Sequence, residues 1–338
     1  MEVIEDIVIV GAGISGLTTS LALHRTVVVS TISGLATSET SFQEKGNHEV
    51  RCVKRKLLLE ALAKELPSGT IRFSSKVVCI EESGFFKLVH LADGTIFKTK
   101  VLIGCDGVNS VVAKWLGFKK PIFTGRTAIR GCRESSHRYG PKSMQFFGSG
   151  VRFGCRPCDD ETLYWYVTWV PSSQDKELQD NPAKMKQFVL SKLEKLPVQM
   201  RAVIESTEPD GFTSSRLAYR HPWELVWGNI TKGNVCVAGD AFHPMTPDIG
   251  QGGGAALEDS VVLAGCLAEA LLKGAGEEDK EKHERIEMGL KKYAQERRWR
   301  AIELITTSYF AGFVQQSDGK IMKFLREKFW LLTCEGCC

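Results

Sequence analysis

The chain has 338 residues, with 44 Lys and Arg against 40 Asp and Glu; the resulting formal charge of +4 is too small and too scattered to mark a nucleic-acid-binding surface. A hydrophobic fraction of 43% beside 25% charged residues is that of a globular chain, here long enough for two packed domains with a sizeable core. No apolar run approaches the roughly 18 residues that cross a membrane, and MEVIEDIVIVG enters a strand with no charged leader, so stable membrane insertion is not expected and a cytoplasmic location follows by default. The 11 cysteines are odd in number, and Cys79, Cys105 and Cys236 sit inside apolar runs, as reduced core thiols do. Two CxxC pairs, Cys155/Cys158 and Cys334/Cys337, lie far apart without neighbouring histidines, so no metal site is expected.

Residues 4–10 form an apolar run that ends in GAGISG at 11–16 and is followed by the helical stretch LTTSLALHR. A strand before and a helix after are the context in which this pattern binds a dinucleotide: Gly11 makes the turn, Gly13 lets a pyrophosphate approach the backbone, and Gly16 lets helix and sheet pack closely. Such a unit continues into a second strand closed by an acid about 20 residues on, which holds the ribose hydroxyls. The candidate strand, residues 26–29, ends at Ser30, and the first acid after it is Glu39, in a Ser/Thr/Gly-rich run that reads as loop. The interval is therefore short and lacks its usual acid. Helical spacing resumes with Val50, Val53, Leu57, Leu58 and Leu62, entered through the basic Arg51, Lys54, Arg55 and Lys56.

Residues 71–102 read as strands, with Asp93-Gly94 as a hairpin turn. A buried strand at 101–105 then runs into CDGVNS, where Asp106-Gly107 opens a helix. Residues 122–170 read as sheet; Phe146, Phe147, Phe153, Tyr164, Trp165, Tyr166 and Trp169 are either one wall of an aromatic-accepting pocket or simply core. Helices are predicted over 185–193 and 198–204, and strands over 221–242. The apolar run 235–238 leads into GDAFHPMTPDIGQGGG at 239–254, which sheds side chains at a helix N-terminus and fixes the Asp240 carboxylate at a strand end, where it can accept hydrogen bonds from a polyol. Leu257, Val261, Ala264, Ala268 and Leu271 mark the helix that follows. A second long helix carries Ile286, Leu290, Tyr293, Arg297, Ala301 and Leu304 on one face. The chain's last residues, Cys337-Cys338, form no CaaX box and read as a reduced tail.

Each of the three glycine motifs follows an apolar strand and opens a helix, which puts all three at the carboxyl edge of an α/β sheet, where ligands bind. In their order and wording they resemble the FAD-dependent aromatic hydroxylases, the class A flavoprotein monooxygenases, and in particular the plant type related to salicylate hydroxylase and zeaxanthin epoxidase. The likeness runs from Ile4 to about Ala311. It implies an α/β fold with an α+β insert: a Rossmann-like FAD-binding domain from residues 1–120 and 226–275, a mixed β-sheet substrate domain at 121–225, and a C-terminal helical segment at 276–338. It implies FAD as cofactor, NAD(P)H as co-substrate, and O2 delivered through a flavin C4a-hydroperoxide to a small aromatic or unsaturated substrate; the oligomeric state stays open.

The resemblance also implies roles. Gly11, Gly13 and Gly16 would hold the pyrophosphate, flanked by Arg55 and by Asp106 with Gly107. Gly239 and Asp240 would meet the ribityl chain, and Gly250, Gln251, Gly252 and Gly253 would offer N–H groups to the flavin's pyrimidine edge. His243, Pro244 and Met245 would lie beside the isoalloxazine, with no acid–base work assigned to them. Two departures stand out: Ser110 is followed by Ala113-Lys114 where the family carries Ser-x-x-Arg, and the interval between Gly16 and Arg55 is short. The alternative is therefore a truncated form that keeps the outline, binds FAD weakly and does not hydroxylate.

Overall fold

The computed structural model describes residues 2–32, 52–134, 144–148, 150–172, 181–192, 198–272 and 278–316. Two compact units divide the chain, one made of Met1–Phe42, Arg55–Ile122 and Ala218–Tyr309, the other of Gln43–Lys54, Phe123–Leu217 and Phe310–Cys338.

The first unit is built around strand β4 (Ile96–Gly104). On one side it pairs in parallel along its whole length with β1 (Glu2–Val10). Its other side is shared. The first half meets β3 (Phe86–Leu91) antiparallel, and the last residues meet β11 (Val235–Val237) in parallel. β2 (Val77–Ser83) and β10 (Thr231–Lys232) complete the sheet at its two ends. The turn predicted at Asp93-Gly94 joins β3 to β4, with Leu91 N donating to Thr95 O. Val101, Leu102, Ile103, Val235, Cys236 and Val237 are all fully buried, the unbroken apolar run that a strand covered on both faces requires. Each such side chain contributes about 1.5–3 kcal/mol by leaving water.

Helix α1 (Ile14–Ile32) follows β1 and packs on α7 (Gly252–Leu272). Thr19 Oγ1 donates to Ser260 Oγ at their buried contact. Helix α2 (Arg55–Lys64) lays Leu59, Leu62 and Ala63 against Leu17, Leu21 and Leu66. The expected face is met in part: Leu62 packs there, but Val53 precedes the helix, Leu57 is exposed, and Leu59 and Ala63 complete the contact. Short α3 (Val111–Trp115) follows the CDG turn, and the long α8 (Asp279–Gln316) brings Ile286, Leu290, Tyr293 and Ala301 into the core, as its periodicity predicts.

Three local expectations are corrected. Residues 26–29 are not a strand but the continuation of α1; with no Gly, Pro or Asn to end the helix after Leu23, it runs on, and Thr26 Oγ1 donates back to Ala22 O in the helical i−4 manner. Glu39 lies outside the described residues. Residues 222–227 form helix α6 (Pro222–Trp227), where strand was expected, because His221 caps it through Trp223 N and Pro222 starts it. Cys79 is exposed, unlike the buried Cys105 and Cys236.

The second unit is an antiparallel sheet in the order β6 (Met144–Gly148), β7 (Val151–Pro157), β8 (Thr162–Trp169), β5 (Ile122–Glu134), β9 (Thr213–Tyr219). Alternation along β8 sends Leu163, Trp165, Val167 and Trp169 to one face, where they pack with Phe153 against Met185 and Val189 of α4 (Pro182–Lys192) and Val203 and Ile204 of α5 (Val198–Glu205). Most of the aromatics here are core. Tyr164 and Tyr166 take the other face and stay half-buried.

Candidate functional site

Strands β1, β4 and β11 end level with one another: Val10 pairs with Gly104, and Gly104 with Val237. Cys105 N donates to Val10 O at 2.8 Å and Ala238 N to Gly104 O at 2.9 Å, so the three chains leave the sheet side by side as Gly11, Asp106 and Gly239. Close packing there demands glycine. Gly11 has φ +108°, and a Cβ on it would stand 2.3 Å from Cys105 O; one on Gly16 would stand 1.8 Å from Gly11 O. Gly239 abuts Ser15, whose hydroxyl in turn donates to Cys105 Sγ. One serine at the start of α1 thus ties all three motifs together.

The outer rim is open. The nearest atom to a Cβ position on Gly13 is Arg55 Nη2 at 3.9 Å, which leaves the middle of the glycine loop approachable and fronted by a guanidinium. Asp240 is exposed at the strand end. The protein around it displaces enough water to push its carboxyl pKa up, while His243 and Arg55 pull in the opposite direction. Gly250, Gln251 and Gly253 are exposed, and Gly252 starts α7. The backbone bond from Ala255 N to Gln251 O is the first of that helix, so the amides of residues 252–254 have no partner within it. Met245 lies along this start, 3.8 Å from a Cβ position on Gly252.

Asp106 has a second occupation. Its Oδ1 accepts from Ser110 Oγ at 2.5 Å and its Oδ2 from Val111 N at 2.6 Å, while Ser110 Oγ accepts from Ala113 N. The carboxylate and the hydroxyl together cap α3 and fix the Gly107 turn.

Behind the rim lies a buried polar layer. His243 has no exposed surface: it lies beneath the loop, its Nε2 2.6 Å from Asp259 Oδ2. Asp259, also fully buried, accepts from Gly239 N through the same oxygen and from Arg297 Nε through the other, at 2.7 Å. Arg297 reaches on to Ala255 O and Glu258. Burial works to lower the His243 pKa, but the neighbouring Asp259 carboxylate outweighs it and the net shift is upward. For Asp259 burial pushes up, and His243 and Arg297 hold the carboxyl below its ordinary value. Arg220, 2% exposed, donates to Phe242 O and Ala241 O and pairs with Glu224, while its own N–H takes Pro244 O. Tyr293 OH donates to Val237 O, and Thr246 bonds Ser308. Of residues 243–245, His243 and Pro244 are buried and Met245 is half-buried.

Reading by motif missed Asp259, Arg297, Arg220, Tyr293 and Ser15 as parts of this site. A signal for two of them exists: Arg297 falls on the apolar face of its helix, and Asp259 stands one turn beyond Ala255 on the inner face of α7. A charge at a core position needs a partner in the core.

A level row of glycine turns, with an open glycine loop and a strand-end carboxylate, is the geometry that dinucleotide-binding folds present at the carboxyl edge of their sheet. The FAD binding domain model matches residues 37–308, and the chain belongs to that family. The chain is 51% identical to Monooxygenase 2 of Arabidopsis thaliana, with 96% of this chain and 93% of that protein aligned. Its fold is shared by the crystal structure of Klebsiella pneumoniae HpxO complexed with FAD and uric acid (TM-score 0.77, 20% identity, 100% of this chain and 96% of that one) and by the salicylate hydroxylase substrate complex (TM-score 0.68, 20% identity, 97% and 94%). The expected α/β flavoprotein monooxygenase fold is thus borne out. The alignment with Monooxygenase 2 extends over 380 positions, more than this chain has, so that relative carries residues missing here. Among the described residues no helix is long and apolar enough to cross a membrane.

Proposed function

We propose that this chain binds FAD at the rim described above and acts as a monooxygenase, drawing on NAD(P)H and O2 to hydroxylate or epoxidise a small aromatic or unsaturated molecule. What carries the reading is the common level of the three strand ends, with glycines that a Cβ would displace at Gly11 and Gly16. Gly11, Gly13 and Gly16 would give the pyrophosphate its backbone donors at the start of α1, with Arg55 adding positive charge. Asp240 would accept from ribityl hydroxyls. The free amides at residues 252–254 would face the end of the ring system where negative charge gathers on reduction. FAD, when bound, supplies the redox chemistry and the activation of O2. The protein orients it, and the buried His243–Asp259–Arg297 layer keeps the loop in shape.

The half-buried face of the second unit supports an aromatic substrate with a polar or acidic group. Tyr164 and Tyr166 stand there beside Arg130 and Arg152, with the Arg152 guanidinium 5.3 Å from the centre of the Tyr166 ring. Arg130 Nη2 is held by Ser215 Oγ at 2.5 Å.

A second reading, a chain with the family's outline but weak FAD binding, rests on one observation: α1 runs through the residues expected to form the second strand, and among the described residues β1 pairs only with β4. The purified chain is incubated with FAD, passed through a gel-filtration column and scanned for flavin absorbance. About one flavin per chain, bleached by NADPH or NADH and recovered faster with candidate phenols, supports the first reading. A folded, monodisperse chain that emerges colourless supports the second.

A further inference from the structure

Cys158 lies just past β7, where its N–H donates to Thr162 O and closes the turn into β8. Its thiol donates to Cys52 Sγ, the two sulfurs being 3.2 Å apart. Cys52 stands three residues before Arg55, and Lys54 between them is fastened to Glu134 at 2.7 Å. Both sulfurs are half-buried, so a small oxidant reaches them, whereas Cys105, Cys155, Cys236 and Cys266 are sealed in the cores. Cys132, also in this unit, is exposed, and it and Cys52 lie close enough for their charges to interact. Among the described residues no group of three or more His, Cys, Asp or Glu side chains could hold a metal. The CxxC spacing misdirects here: Cys155 is buried in β7, and the partner of Cys158 is 106 residues away in sequence.

We propose that Cys52 and Cys158 are a redox-active pair that closes into a reversible disulfide on exposure to hydrogen peroxide. Only about 1 Å of approach separates the present contact from bonding distance. Cys52, the acceptor in the S–H···S contact, is the sulfur that attacks the peroxide first. It takes one peroxide oxygen to become a sulfenic acid, and the first water leaves. The Cys158 sulfur then displaces that oxygen, and its own proton departs with it as the second water. Two thiols lose two electrons and one peroxide becomes two waters, so the step balances. Burial pushes the Cys158 thiol up to about 12, so its proton leaves only as the S–S bond forms and this second step is the slower one. A thiol-based reductant reverses the bond by exchange. The closed bond pins the segment that enters α2 to the β7–β8 turn.

The full-length protein is titrated with hydrogen peroxide, the remaining thiols are alkylated, and the digest is mapped by mass spectrometry with and without dithiothreitol. A Cys52–Cys158 cross-linked peptide that dithiothreitol removes is the expected result. With it the melting temperature rises by about 3 °C or more, since the bond closes a long loop of the unfolded chain. Cys132→Ser keeps both signals, and Cys52→Ser and Cys158→Ser each lose them. Recovery of Cys52 and Cys158 as alkylated thiols after oxidation overturns the proposal, and so does a cross-link that runs through Cys132. Mapping of the unmutated chain decides the matter even if a serine variant fails to fold.

Discussion

The rim of the site and the layer behind it are made of opposite materials. On the rim, Gly11, Gly13, Gly250 and Gly253 bare the backbone, and Arg55 and Asp240 are exposed residues. Behind it, His243, Asp259, Arg297 and Arg220 are all but fully buried, and every one of them holds a backbone group or another charge. The rim is shaped to receive a ligand and contributes little to stability. The layer behind is almost wholly shielded from solvent and fixes where the rim's backbone lies. The contrast teaches that a glycine-rich loop keeps its form only because charge is buried beneath it, at a desolvation cost that is offset only while every partner is present.

The sharpest way to break this division is at Asp259. Asp259→Ala leaves His243 and Arg297 without their shared partner, and chemical denaturation is expected to register a loss of about 3–5 kcal/mol. A variant that unfolds at the parent's midpoint would show that the layer carries no load. Asp240→Ala is the mirror image. Asp240 is an exposed residue at the strand end, so the melting temperature should hardly move, while FAD affinity falls on the order of tenfold, about 1.4 kcal/mol, as read by flavin fluorescence titration. Unchanged flavin content in that variant would remove Asp240 from the site.

A pH series sharpens the comparison further. The His243 pKa is raised above its ordinary 6.5, so the stabilisation it brings is complete below that pH and is lost as pH rises through the raised value. The Asp259 pKa is lowered from its ordinary 3.8, so its share is present above that pH and is lost as pH falls through the lowered value. Melting temperature should therefore decline on the alkaline side of 6.5, and His243→Gln should flatten that decline. Because the pair is buried, added salt should leave the decline in place. An identical alkaline limb in the variant would assign it to other groups. The smallest effect is expected at Ser110→Ala, about 1 kcal/mol by thermal melting, for the lost α3 cap; flavin retention stays near that of the parent because Asp106 still binds Val111 N.

The fold was legible where one physical requirement fixes both composition and spacing. A strand buried on both faces must be apolar throughout, so residues 101–105 and 235–237 could be read directly. A turn where a Cβ would strike a carbonyl must be glycine, so Gly11 and Gly16 could be read as well. Legibility failed where local preference and context disagree. The run TVVV at 26–29 is β-branched and favours a strand taken alone, yet it follows a helix with nothing to stop it. His243 looked like a loop residue beside the ligand, because adjacency in sequence says nothing about which side of the loop a side chain takes.

By itself, then, the sequence determined the kind of sheet, the three glycine turns at its carboxyl edge and the residues available to meet a dinucleotide, since each of these follows from short-range sterics or from burial over a few residues. Only the tertiary structure decided that Val10, Gly104 and Val237 end level, that Asp259 joins His243 to Arg297 beneath the loop, and that Cys158 faces Cys52 and not Cys155. Those are pairings between residues from 16 positions apart (His243 and Asp259) to 133 (Gly104 and Val237), set by the register of β4 with its neighbours, the packing of α7 and α8 and the turn from β7 to β8, and no local pattern encodes them.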